Sequence, residues 1–147
     1  MSEHEQFMTV AYQLAVQSYN AGGIPIGSVL VRDGQIIGRG HNQRVQQQDP
    51  IAHGEMDCLR NAGRQPSGYR NTIIYTTLSP CMMCAGTIVQ FRIPVVVIGE
   101  AVTFPGNEDF LRSRGVSVID LNDTRCIELM DRFKREQPDL WNEDIAE

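Results

Sequence analysis

The sequence predicts a three-layer α/β/α domain around a five-stranded mixed sheet. Three observations predict it. An amphipathic helical pattern opens the chain, five short β-rich runs follow, and a helix-sized stretch separates runs four and five, as a parallel crossover requires. With 147 residues, 41% hydrophobic and 21% charged, one domain spanning 1–147 with a real core is expected.

The first helix covers roughly Glu5 to Asn20. Phe7, Met8, Val10, Ala11, Leu14, Ala15 and Ser18 share one face, and Gly22-Gly23 supplies a stop. Ile26 to Arg32 and Gln35 to Gly38 are β-rich and flank Asp33-Gly34. A type I′ turn needs positive φ at both central residues, so strands one and two form an antiparallel hairpin. A polar loop, about Asn42 to Pro50, leads to a helix over Ala52 to Ala62, closed by Gly63. Thr72 to Thr76 is the third strand. Pro80 suits the first turn of the next helix, which runs through Ala85, Ile88, Val89 and Phe91. Pro94 to Ile98, all apolar, reads as a strand covered on both faces. A short helix over Glu108 to Arg112 and a strand over Val116 to Ile119 follow, with strands four and five parallel. A long amphipathic helix, about Asp123 to Glu136, and a short segment from Pro138 to Ile145 end the chain.

The formal net charge of -5 argues against a whole-surface grip on nucleic acid or an anionic membrane. No apolar run is long enough to span a bilayer. The opening residues lack the basic start and apolar run of a signal peptide, and two of four cysteines are paired by spacing. A reduced, cytoplasmic chain is expected.

The chemistry lies at two helix starts. Cys81-Met82-Met83-Cys84 alone has two readings: a redox dithiol activated by a helix N-terminus, or two metal ligands on one helical face. His53-Gly54-Glu55 at the start of the preceding helix favours metal. H-x-E followed by P-C-x-x-C, here Pro80-Cys81-Met82-Met83-Cys84, is the pattern of a zinc site with one His and two Cys ligands and a glutamate that carries protons. One imidazole and two thiolates balance Zn²⁺, and three protein ligands leave a fourth position open to water, the catalytic arrangement. His53 and Glu55 are two apart and would diverge within a helix. At a helix start the first residue can sit outside helical geometry, so that His53 binds metal and Glu55 reaches the water. Structural zinc and a dithiol switch are the non-enzymatic alternatives.

With these motifs the chain resembles the cytidine and deoxycytidylate deaminase superfamily, and most closely its fungal cytosine deaminase branch. Gly38-Arg39-Gly40-His41-Asn42, Tyr75 to Cys81, Ile98-Gly99-Glu100 and the ending Trp141 to Glu147 carry the resemblance further. It implies a cytidine deaminase-like fold, one Zn²⁺ on His53, Cys81 and Cys84, and Glu55 as proton shuttle. It implies substrate contacts from Asn42, the Gly54 N–H, Ser79, Phe104, Trp141 and Asp144, and a homodimer. The implied reaction is hydrolytic deamination of a free base, cytosine first, in pyrimidine salvage, with no nucleic acid or membrane partner. Isocytosine, guanine and creatinine-type rings are alternatives, followed by nucleosides and tRNA adenosine. A nucleoside needs room for ribose that a C-terminal lid would deny. Thr103 to Gly106 and Gln46 to Pro50 depart from the fungal pattern beside the expected pocket. Cys58 and Cys126 read as core thiols, His4 and His41 as structural or surface residues, and Met82 and Met83 as packing. Arg132, Lys134 and Arg135 read as a solvated face.

Overall fold

The computed structural model describes residues 2–147. Its elements are α1 (Glu3–Asn20), β1 (Gly27–Arg32), β2 (Gln35–His41), α2 (Gly54–Ala62), β3 (Thr72–Leu78), α3 (Met82–Phe91), β4 (Val95–Glu100), α4 (Glu108–Ser113), β5 (Ser117–Asp120), α5 (Thr124–Glu136) and α6 (Pro138–Asp144). The sheet order is β2-β1-β3-β4-β5. β1 runs antiparallel to both β2 and β3, and β3, β4 and β5 are parallel, so the sheet is mixed as expected.

Strand alternation sorts the core into two layers. Val29, Val31, Tyr75 and Val97 face Met8 and Ala11 of α1 and Cys126 of α5. Leu30, Ile74, Val96 and Ile98 face Cys58 and Leu59 of α2, Ala85 and Ile88 of α3 and Leu111 of α4. A third cluster joins Ile24, Ile26 and Leu78 to Met130, Phe133 and Trp141. Among the described residues, no helix is long and apolar enough to cross a membrane.

The hairpin turn has the expected backbone, with φ of 50° at Asp33 and 75° at Gly34. β2 runs three residues past the predicted Gly38, to His41. The low β-propensity of Gly38-Arg39-Gly40 hid this extension, and packing explains it. A Cβ on Gly38 would lie 2.7 Å from the Ala62 Cβ, and one on Gly40 would lie 2.3 Å from the Cys58 nitrogen. The glycines let α2 lie hard against the strand. Pro80 falls outside the helix it was expected to start: Cys81 is the N-cap of α3, with extended φ -68° and ψ 174°.

Candidate active site

Two N-caps build the metal-binding end of the site. His53 caps α2 with φ -69° and ψ 162°, an extended conformation, while Glu55 already lies within the helix. That break in geometry lets residues two apart converge. The Cys81 Sγ and Cys84 Sγ lie 3.4 Å and 3.8 Å from His53 Nδ1. All three donor atoms lie within 4.8 Å of one another. Tetrahedral zinc with bonds of about 2.1 Å to nitrogen and 2.3 Å to sulfur places such atoms about 3.6 Å apart, so the donor set fits the ion.

The electrostatics fit as well. From protein groups alone, the hydrogen bond from Cys84 holds the Cys81 thiol down at about 4, with His53 adding to the effect against the cost of burial. Cys84, as the donor of the pair and itself buried, is pushed up. Burial disfavours a charged His53, but the Cys81 thiolate and the carboxylates of Asp144 and Glu55 outweigh it and raise His53 to about 9. Such surroundings are made for a cation, and a metal displaces the protons they otherwise hold. Burial pushes Glu55 up to about 7. On the far side of the imidazole, Nε2 lies 3.5 Å from Asp144 Oδ1.

A cavity of about 360 Å³ opens onto these groups. His53, Glu55, Ser79, Cys81, Phe104, Trp141 and Asp144 line it. Cys84 lies fully buried behind it, and Asn42 and Gly54 are also outside the lining. Asn42 is fully buried, and its Oδ1 accepts the Arg44 N–H at 2.9 Å. Its Nδ2 has no hydrogen-bond partner, nor has Asp144 Oδ1. Burial pushes the Asp144 carboxyl up, while His53, Arg44 and the Asn42 amide pull it down. Ser79 Oγ donates to Glu108, and Glu108 Oε1 also accepts the Gly106 N–H at 3.2 Å. Asn107 Nδ2 donates to the Pro80 carbonyl at 3.1 Å. These bonds tie the loop carrying Phe104 to the head of α3. Phe104 meets Trp141 edge to face, with ring centroids 6.3 Å apart.

Sequence reasoning missed the apolar walls Ile26, Leu78, Ile145 and Ala146. Leu78 abuts Ser79 in the chain, and adjacency was the available signal; Ile26 carried none. Met82 and Met83, expected as packing, line the cavity, and Met82 is 56% exposed. Cys58 and Cys126 are buried in the core, His4 Nδ1 meets Tyr75 Oη at 2.8 Å, and His41 Nδ1 meets the Asn42 carbonyl at 3.0 Å. Arg132 pairs with Glu136 and Lys134 with Asp131 on the surface of α5.

Comparison with known proteins gives this site its context. Residues 1–100 match the family described as "Cytidine and deoxycytidylate deaminase zinc-binding region". A cytosine deaminase from Candida albicans is 51% identical over 142 residues, 95% of each chain. A tRNA-specific adenosine deaminase from Buchnera aphidicola is 41% identical over 108 residues, 72% of each chain. The solved structure of guanine deaminase from Bacillus subtilis matches with a TM-score of 0.61 and 31% identity, over 95% of this chain and 78% of that one. A zinc-type donor set at two helix starts, a buried glutamate beside it and these matches together make the chain a member of the cytidine and deoxycytidylate deaminase family of zinc-dependent hydrolases.

Proposed function

We propose that the chain hydrolyses cytosine to uracil and ammonia, and that residues 1–147 work as one deaminase domain. One observation carries the reading: a buried carboxyl and an open three-donor site face a cavity roofed by Trp141, Ile145 and Ala146. Such a roof suits a bare ring better than a nucleoside, whose ribose needs room beyond it. The cytosine deaminase relative supports the same choice.

His53, Cys81 and Cys84 would hold one zinc ion. Zinc, when bound, lowers the pKa of a coordinated water until it is a nucleophile near neutral pH. Glu55 takes one proton of the water as the C–O bond forms at the amine-bearing carbon, and takes the second from the new hydroxyl as that bond becomes a carbonyl. It passes the first to the ring nitrogen and the second to the departing amine as the C–N bond breaks. A carboxyl that burial pushes up from its ordinary range suits both acceptance and donation. Asn42, the Gly54 N–H, Ser79 and Asp144 supply polar contacts to the ring edge, and Phe104 and Trp141 cover its faces. A buried donor or acceptor without its partner costs about 1–3 kcal/mol, so one mismatched ring atom weakens binding tenfold or more.

Ammonia release against free bases, isocytosine and creatinine-type rings, nucleosides and tRNA tests the substrate. Cytosine should lead; turnover confined to nucleosides or tRNA overturns the reading. Glu55→Gln should keep one zinc per chain and lose at least a hundredfold in kcat. Normal turnover in that variant removes Glu55 from the mechanism.

The same reading makes the chain a cytoplasmic enzyme of pyrimidine salvage, in a compartment where thiol ligands stay reduced. It also makes the chain a homodimer. Phe91, 37% exposed, stacks on Tyr69 and lines an apolar groove with Met56, Leu59 and Thr87. A second copy would cover this face of α2 and α3. Sedimentation at micromolar concentration should give twice the 16.5 kDa chain mass; a monomer there rejects the dimer.

A further inference from the structure

We propose that Arg44 is the positioning residue of this site: it fastens α6 over the cavity and orients the Asn42 amide and the Asp144 carboxyl beside it. Its backbone and its side chain do separate parts of the work.

The backbone N–H of Arg44 donates to Asn42 Oδ1 at 2.9 Å. That bond fixes which way the amide faces. With Oδ1 engaged, the Nδ2 end is left for the Asp144 carboxyl, which the Asn42 amide pulls down although no close hydrogen bond joins the two. The guanidinium reaches in the other direction, across 99 residues of sequence, to the C-terminal helix. Its Nη1 donates to Glu143, and its Nε lies 3.9 Å from Asp144 Oδ1. Arg44 Nε and Asp144 Oδ1 are both buried and both lack a hydrogen-bond partner.

The two contacts differ in weight. The Glu143 side chain is 59% exposed, and a pair screened to that degree contributes little to stability. Its value is geometric: the planar fork, held at Glu143, keeps its Nε edge toward Asp144. Asp144 is only 6% exposed and faces His53 on its other side. Pinning Glu143 and Asp144 therefore also holds the preceding turn, which carries Trp141, and the following Ile145 and Ala146. All three line the cavity.

One residue thus orients a donor, Asn42 Nδ2, and an acceptor, Asp144 Oδ1, that face each other beside the cavity. That pairing is looser than a hydrogen bond, and a ligand that bonds to both groups stabilises the site. A ring that offers an acceptor beside an amino N–H does so. The substrate class rests on the proposed function, but the fastening of α6 does not.

The test uses Arg44→Ala and Arg44→Lys. Trp141 is the chain's one tryptophan, so its fluorescence reports on α6 alone. In Arg44→Ala without substrate, Trp141 emission should move to the red and its quenching by acrylamide should at least double. The KM for cytosine should rise tenfold or more while kcat falls less. Arg44→Lys keeps a charge for Glu143 and should recover most of the shielding but only part of the KM. A merely structural role would lower the melting temperature and the active fraction with KM and Trp141 quenching unchanged, and that result overturns the proposal. If the wild-type chain does not turn over cytosine, the proposed function fails, yet the quenching comparison still decides the role of Arg44.

Discussion

Gly40 shows how one missing side chain seats the helix that carries His53 and Glu55. A Cβ there would approach the Cys58 nitrogen to 2.3 Å and the Asp57 carbonyl carbon to 2.7 Å, both rigid helix backbone. Gly40→Ala therefore has to push α2 outward, and overpacking of this kind costs about 1–3 kcal/mol. His53 and Glu55 ride on the first turn of that helix. Denaturant unfolding should show the stability loss, and kcat for cytosine should fall at least tenfold even in the fully folded fraction. Unchanged kcat would mean that the first turn of α2 does not depend on its seat against β2.

At the scale of elements, local signals were readable and long-range ones were not. The i, i+3, i+4 stripe of α1 and the Asp33-Gly34 turn specify themselves within a few residues, so the helix and the hairpin could be read directly. The metal donors were legible because each belongs to a short motif whose chemistry demands its spacing. Arg44 was not: its partners on α6 lie 99 and 100 residues away, and an arginine in a polar loop carries no local mark. Glu108 was opaque for the same reason, since its bond to Ser79 spans two elements. The start of α3 was misread because Pro80 fits N1 well, whereas the cap is held one residue later by Cys81. The start of α1 supplies a contrast to Gly40. Ser2 and Glu5 form a reciprocal capping box, far from the cavity. Ser2→Ala should cost about 1 kcal/mol, or about 3 °C in melting temperature, and leave KM and kcat unchanged. A changed KM would reveal coupling between α1 and the site.

At the scale of the whole molecule, net charge bears on which class of substrate the chain takes. Relatives described as tRNA-specific adenosine deaminases share its fold and much of its sequence, so fold alone does not choose the substrate. The chain carries 13 basic against 18 acidic side chains. Several of the basic ones are engaged by neighbours: Arg44 by Glu143, Arg125 by Asp123, Arg132 by Glu136 and Arg32 by Asn71 and Gln65. Acidic side chains outnumber basic ones by five, which disfavours a surface that tracks a phosphate backbone. A substrate held by even two phosphate contacts on a single strand would lose roughly sevenfold in affinity between about 50 and 200 mM salt. A neutral ring releases no counterions when it binds. The kcat/KM for cytosine should therefore change less than twofold across that range, and added tRNA should not compete. A steep salt dependence, or inhibition by micromolar tRNA, would place an electrostatic substrate site on this acidic surface and move the chain to a nucleic-acid substrate.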